Sequence, residues 1–211
     1  SVEGANEGTT TTIKNLTIIG TNATKSGIHA YNCTGDVKLD TVTIQNCGNA
    51  AIQVNGAHVT ATNLNTSGNA WGAVNVDQGT NVTVAPSFTL ESGTLSESNK
   101  IWTEMATSAS GDTTSVATIT VPDSWATAMK SYNGMTYYAD TAAVMIGENP
   151  YASLRDAALA ATSGDTITLN ADVTVTNKGI LSGDVNSAVI TLPDGATLDG
   201  KGHTISAAAD W

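Results

Sequence analysis

Apolar residues recur at a long, regular interval in the first part of the chain, between short polar turns. Ile28, Ile52 and Val74 form one column, because nearly equal lengths of chain separate them. A second column follows two positions later. Its members are Ala30, Val54 and Val76. Such long-period repetition is typical of a coil whose turns stack on one another.

A second family of apolar segments alternates with the first. Its first column is Leu16, Val42, Leu64 and Phe88, and its second is Ile18, Ile44, Thr66 and Leu90. Two short strands in each period of about 22–26 residues predict a parallel β-helix. Residues between these apolar positions are mostly polar, which is the alternation of a strand with one buried face. Asn, Asp and Gly between the strands suit tight corners.

The chain divides into four predicted segments. Residues 1–94 form the β-helix body, and residues 95–146 lose the period and form an irregular segment with short strands. Residues 147–163 contain the single predicted helix, with Ser153 as its N-cap and an apolar stripe at helical spacing. Residues 164–211 return to strands. The fold class is therefore all-β, a parallel β-helix (solenoid) with one short helix and a small irregular β-containing segment.

The last segments carry a family resemblance. The stretch NPYASLRDAALAATSGDTITLNADVTV, followed by ITLPDGATLDGKGHTIS, resembles the opening of right-handed, pectate-lyase-like β-helix modules in bacterial cell-surface proteins. The resemblance implies that the helix covers the first open rung of a coil, and it implies a secreted or cell-surface location. In this chain the opening comes last, so the order is permuted.

The spacing also predicts how the two ends of the chain relate. Ile167 and Ile190 are one period apart, and if Ser1 followed the last residue, Val2 would lie one period beyond Ile190 and Ile28 one period further. Five residues are therefore predicted to form an assembly seam: Val2, Ile18, Ile190, Ile205 and Trp211. The C-terminal rungs would stack on residues 1–20 of the same chain or of the next one. A contact with the next chain is head-to-tail and builds a filament or a tandem array.

Composition excludes several functional classes. The formal net charge is −11, with only eight Lys and Arg residues, which argues against nucleic-acid and anionic-membrane partners. There is no apolar stretch long enough to span a membrane, and the sequence indicates no cofactor and no metal site. Two alternatives stay open for Cys33 and Cys47, which are both in corners: a disulfide, or two free thiols.

One outward surface is the best candidate for a ligand. It consists of His29, Tyr31, Gln53, Asn55, Asn75 and Asp77. This patch is predicted to be polar and rigid, which suits a glycan. It contains one carboxylate and no Lys or Arg, so it lacks the paired acids of a glycosidase or the basic residue of a lyase. His58 and His203 have no evident carboxylate partner.

Three hypotheses follow from these patterns. We favour a non-enzymatic extracellular structural protein, fibre-forming or tandemly repeated, whose partners are copies of itself. The second hypothesis is a carbohydrate-binding adhesin module, and the third is a polysaccharide lyase or glycoside hydrolase. The third depends on analogy of fold alone.

Overall fold

A computed structural model describes residues 1–3, 6–21, 25–79, 81–97, 99–103, 106–107, 113–114, 117–130, 135–175 and 190–207. It is mostly β-structure, with parallel sheets stacked as a β-solenoid of about four turns, which confirms the predicted fold class. The chain forms two compact units, Ser1–Trp125 and Ala126–Trp211. We call the solenoid of the first unit the N-terminal coil and the second the C-terminal unit.

The first unit contains thirteen strands among the described residues. They are β1 (Val2–Glu3), β2 (Thr10–Ile19), β3 (Ile28–Tyr31), β4 (Asp36–Gln45), β5 (Ala50–Asn55), β6 (His58–Ser67), β7 (Gly72–Asp77), β8 (Ser87–Leu90), β9 (Gly93–Leu95), β10 (Ile101–Thr103), β11 (Ala106–Thr107), β12 (Thr113–Thr114) and β13 (Thr118–Thr120). One parallel sheet has the order β1-β3-β5-β7-β10, and another has the order β13-β8-β6-β4-β2, with β9 also beside β6. Strands β11 and β12 form a separate antiparallel pair.

The inward columns of the first sheet match the prediction. Ile28 pairs with Ile52, which pairs with Val74, and all three are buried. A single rung cannot bury its apolar face, but stacked rungs make one continuous core. The body does not stop at residue 94, because β10 and β13 add parallel rungs to β7 and β8. The predicted body was therefore too short.

Each long strand of the second sheet is bent at one residue. Asn15, Thr41 and Asn63 have φ values of 53°, 57° and 53°, in the left-handed region where Asn is tolerated best among residues with a side chain. These residues are skipped in the register between the neighbouring strands. We call this column the one-residue corner. The coil therefore has three short strand segments per turn, and not the predicted two.

The bend explains one error of register. Phe88 pairs with Val59 and Leu90 with Ala61, on the near side of the corner. The predicted partners of these two residues lie on its far side, where β9 pairs with the second half of β6. Each half of β6 has two inward residues with one outward residue between them. The spacing of Phe88 and Leu90 therefore fits either half equally well.

The C-terminal unit contains eight strands and one helix among its described residues. They are β14 (Ala126–Lys130), β15 (Thr136–Ala139), β16 (Val144–Ile146), β17 (Asn149–Tyr151), α1 (Leu154–Ala160), β18 (Thr166–Leu169), β19 (Val173–Val175), β20 (Thr197–Asp199) and β21 (Ile205–Ala207). The order of its larger sheet is β15-β14-β17-β16-β18-β20, and β19 pairs with β21. Helix α1 is shorter than the predicted 147–163, because residues 149–151 form β17.

Helix α1 packs on the core of this unit. Ser153 is its N-cap, and the Ser153 hydroxyl accepts a hydrogen bond from the Asp156 N–H at 3.1 Å. Apolar side chains of the helix pack against those of β16 and β18. This core contains Val144, Leu154, Ala157, Ala158, Ile167 and Leu169.

Two spacings used to predict the seam were wrong. Ile167 pairs with Leu198 and not with Ile190, which lies outside the strands and packs, partly buried, on the core around α1. Ile167 and Leu198 are further apart in the sequence than one period of the N-terminal coil, so that period did not apply here. Val2 pairs with Ala30 and not with Ile28. A shift of two residues leaves Val2 on the same face, so the alternation could not detect it.

Candidate functional site

The outer edge of β2 is an open strand edge. Within the described residues β2 has one sheet neighbour, β4. Leu16 continues the inward column of Val42 and Leu64, which are fully buried, yet Leu16 itself is 42% exposed. Its exposure arises because no described rung covers this end of the column. The apolar core of the N-terminal coil therefore ends at a surface that a further rung would bury.

Ile19 is the most exposed large apolar residue at this edge. It is 65% exposed and points outward, in register with Gln45 and Ser67. The polar members of that column bond to each other, with Gln45 Nε2 donating to Ser67 Oγ at 3.1 Å. An isoleucine in an outward polar column gains nothing from the core of its own coil. Its burial would require a contact beyond β2.

Another open edge lies in the C-terminal unit. Among the residues that the structure describes, strand β20 is the last of its sheet, and β21 has β19 as its one neighbour. Ile205 on β21 is 45% exposed, whereas Leu198 on β20 is half-buried. Four large hydrophobic side chains are exposed in the part of the chain that the structure describes. They are Leu16, Ile19, Leu159 and Ile205. Three of the four lie on β2 and β21.

The five predicted seam residues lie in different places in the structure. Val2 and Ile18 lie half-buried on the edge strands β1 and β2, and Ile205 is exposed on the edge strand β21. Ile190 is placed on the core around α1 instead, and Trp211 lies outside the described residues. Sequence spacing therefore identified three edge residues, but it missed Leu16 and Ile19 as the exposed apolar ones.

A polar ladder crosses three strands of the first sheet. His29 Nε2 lies 2.7 Å from Asn55 Oδ1, and the Asn55 amide donates to Asp77 Oδ1. Asp77 Oδ1 also accepts from the backbone N–H of Gly79 at 2.6 Å. Burial raises the pKa of the Asp77 carboxyl, while the hydrogen bonds from Gly79 and Asn55 act in the opposite direction.

The ladder determines the tautomer of its histidine. A carboxylate can only accept hydrogen bonds, so the amide NH₂ of Asn55 must face Asp77 and its carbonyl must face His29. His29 Nε2 is therefore the donor, and Nδ1 of the neutral ring remains an acceptor. The ring centroids of His29 and Tyr31 are 5.6 Å apart and tilted by 58°.

The other members of the predicted ligand surface lie beside the ladder. Gln53 is half-buried and accepts a hydrogen bond from Ser26 Oγ at 3.1 Å. Asn75 is only 1% exposed, so the prediction of an open surface was wrong there. The reason is the additional rung β10, which places the fully buried Trp102 in register beside Asn75.

A loop borders the Asp77 end of the ladder. Gln78 Nε2 donates to the carbonyls of Val82 and Val84, at 2.7 and 2.9 Å, and so links the first residue of this loop to its later part. The Val82 side chain packs on Gly56, where any Cβ would overlap Val82 Cγ1. Asp77 is therefore positioned by both its strand and its loop.

A buried polar cluster was not predicted. Asn69 Nδ2 donates to Glu97 Oε1 at 2.5 Å and to the Ile44 carbonyl at 3.1 Å, while Asn69 Oδ1 accepts from the Cys47 N–H at 2.9 Å. Thr66 Oγ1 donates to Glu97 Oε2 at 2.6 Å. Glu97 was missed because it lies in the segment that had no period, so no column indicated its burial.

Both cysteines are buried free thiols. Cys33 Sγ lies 3.5 Å from the Val2 carbonyl, whereas Cys47 lies beside the cluster of Asn69 and Glu97. Burial raises the pKa of the Cys47 thiol, the Gly20 N–H lowers it, and the Glu97 carboxyl raises it further. Of the two alternatives left open by the sequence, the structure contains the free thiols.

Two histidines outside the ladder have polar partners. His58 Nδ1 lies 2.9 Å from Ser87 Oγ, and His203 Nδ1 lies 3.4 Å from Asp172 Oδ1. The carboxylate partner of His203 was not predicted, because the two residues are far apart in sequence. Among the described residues no group of three His, Cys, Asp or Glu side chains could hold a metal ion. No described helix is sufficiently long and apolar to cross a membrane.

No protein-family model, curated protein or solved structure matches this chain.

Proposed function

We propose that this protein is a non-enzymatic structural module that assembles head to tail with copies of itself by β-helix stacking. The observation that supports the proposal is that exposed apolar side chains are concentrated on edge strands. Leu16 and Ile19 lie on the edge of β2, and Ile205 lies on the edge of β21. Contact between these two edges would bury all three side chains.

Backbone chemistry favours the same contact. An edge strand presents unpaired N–H and C=O groups, and a strand of another molecule can pair with them. Neighbouring parallel strands lie about 4.8 Å apart, so a partner rung adds to the coil without altering its geometry. The two edges are different surfaces, which makes the contact heterologous. Such contacts build filaments unless the rotation between copies closes a ring.

The cellular setting is part of the proposal. The resemblance of residues 149–206 to pectate-lyase-like modules of bacterial cell-surface proteins, together with the net charge of −11, supports a secreted or surface-exposed module. In a longer protein with tandem copies, the same contact would join successive modules into one continuous coil. Catalysis is not proposed, because the ladder contains one carboxylate and glycoside hydrolysis ordinarily uses two.

The experiment uses light scattering and negative-stain microscopy on the wild-type chain and on two edge variants. Ile19→Lys places a charge on the β2 edge, and Ile205→Lys places one on the β21 edge. The wild type is expected to form thin filaments, and each variant alone is expected to be a monomer of 21.4 kDa. Leu159→Lys is the matched control, since Leu159 is 59% exposed on α1, which is part of neither edge strand.

Mixing the two edge variants tests the polarity of the contact. Each retains one intact edge, so an equimolar mixture is expected to form dimers that cannot grow. If Ile205→Lys dimerised alone through its intact β2 edge, the contact would be head-to-head and the proposal would be wrong. A wild-type chain that remains monomeric at all concentrations would also refute it.

A further inference from the structure

The polar ladder of His29, Asn55 and Asp77 has two acceptors that its own hydrogen bonds do not use. Asp77 receives both of its hydrogen bonds on Oδ1, which leaves Oδ2 without a partner among the described residues. The tautomer of His29 leaves Nδ1 as an acceptor at the opposite end. Asn55, between them, is buried and uses its amide in both directions. The two ends of the ladder thus present acceptors that are already oriented.

The two acceptors are separated along the axis of the coil. His29 is on β3 and Asp77 on β7, with β5 between them, so two inter-strand steps of about 4.8 Å separate their strands. Tyr31 is in register with Asn55 and Asp77, half-buried and tilted against the His29 ring. A ligand that spans the ladder must therefore be elongated and must lie across the strands.

We propose that this surface binds a neutral oligosaccharide that runs along the coil axis and donates hydroxyl hydrogen bonds to Asp77 Oδ2 and His29 Nδ1. Two acceptors select a ligand that is rich in donors, and a sugar ring supplies both hydroxyls and an apolar face for the Tyr31 ring. The proposal is independent of the stacking of copies, because the ladder lies on an outward sheet face and the stacking contact lies on strand edges.

Rigidity favours binding at this site. Strands β3, β5 and β7 hold the ladder residues, and Gly79 and Asn55 hold the Asp77 carboxyl in place. Little side-chain entropy remains to be lost when a ligand arrives, which is the advantage of a site built on rigid elements.

Asp77→Asn is the most informative variant. The Asn carbonyl can still accept from Asn55 and Gly79, so the ladder is retained, but the outward acceptor becomes an NH₂ donor. An array of immobilised neutral oligosaccharides, followed by calorimetry on the bound ones, measures the effect. Affinity is expected to fall about tenfold, as for the loss of one buried hydrogen-bond partner. Tyr31→Ala is expected to weaken binding similarly.

Asp36→Asn is the matched control, because Asp36 is an exposed carboxylate on an outward face of the other sheet. It is expected to bind as the wild type does. Absence of binding to every oligosaccharide would overturn the proposal. A tri-lysine peptide is the competing probe. If it bound and the sugars did not, with loss in Asp77→Asn and at high salt, the surface would be a cation-binding one and the proposal would be wrong.

Discussion

Asn63 donates from its side-chain amide to Thr41 Oγ1 at 3.4 Å, across the one-residue corner of the coil. Both residues have left-handed backbone conformations. Asn adopts this conformation at modest cost, whereas a β-branched residue at positive φ is a genuine outlier. Thr41 is therefore a strained member of a column whose other two residues are Asn.

Thr41→Asn is expected to stabilise the N-terminal coil by about 1 kcal/mol, because it relieves this strain. The new side chain would also extend the column of Asn15 and Asn63 with a third amide. Denaturant unfolding of the two proteins measures the difference. Thr43→Asn, in a neighbouring strand position with ordinary φ, is the control and is expected to bring no gain. A loss of stability in Thr41→Asn would show that the Thr41 hydroxyl bonds outweigh the strain.

The Glu97 cluster gives a second prediction. Glu97→Ala removes the acceptor of the Thr66 hydroxyl and one of the two acceptors of the Asn69 amide, which keeps the Ile44 carbonyl. Each such loss costs about 1–3 kcal/mol. Glu97→Gln is expected to cost less, because its carbonyl still accepts from Asn69 and its amide can donate to the Thr66 hydroxyl. Glu91→Ala is the exposed control, since Glu91 accepts from Thr62 at the surface and such changes stay within about 0.5 kcal/mol. Equal losses in the free energy of unfolding for the three variants would show that the buried cluster does not stabilise the fold.

The raised pKa of Asp77 predicts a dependence of stability on pH. Because the folded state holds this proton more tightly than the unfolded state, the contribution of Asp77 is most favourable below the unfolded carboxyl pKa of about 3.9. It declines as pH rises through the higher folded value. Asp77→Asn cannot titrate, so the stability of the wild type relative to this variant is expected to fall across that acidic window.

Chemical unfolding at several pH values tests this expectation. Hydrogen bonds from the Thr162 N–H and the Thr204 N–H lower the pKa of Asp165 and Asp172, so these carboxyls make stability rise over acidic pH. Both proteins contain them, and their effect cancels in the difference. Parallel pH profiles of wild type and Asp77→Asn would mean that burial does not destabilise the ionised Asp77.

Salt is expected to control the proposed assembly. Copies that each carry a net charge of −11 repel one another, and the screening length falls from about 30 Å at 0.01 M salt to about 8 Å at 0.15 M. Filament mass measured by light scattering should therefore increase over this range. A decrease would indicate that attraction between charges, and not burial of Ile19 and Ile205, drives association.

Alternation of apolar residues was sufficient to predict the stacked columns through Ile28, Ile52 and Val74. It failed where a corner changed length. Nine residues lie between β7 and β8, against two between β5 and β6, and this insertion moved Phe88 to a different half of the strand. Alternation repeats every two residues and contains no information about absolute register.

The candidate sites were predicted less well for a related reason. His29, Asn55 and Asp77 could be placed on one face from their spacing, but the amide orientation that links them depends on the contacts of all three. The burial of Asn75 depends on Trp102, in a rung that has no apolar period of its own. Exposure of Leu16 and Ile19 depends on what stands next to β2, which no pattern within β2 reveals.

The three corners of the N-terminal coil differ in their freedom to change. Asn15, Thr41 and Asn63 turn the chain with one residue each, whereas the connections before and after the first sheet range from two to nine residues. Foreign peptides should therefore be accepted in the connections whose length already varies from turn to turn, and refused at Thr41. The coil is therefore suited to display inserted loops at two of its three corners, whereas the one-residue corner does not tolerate insertion.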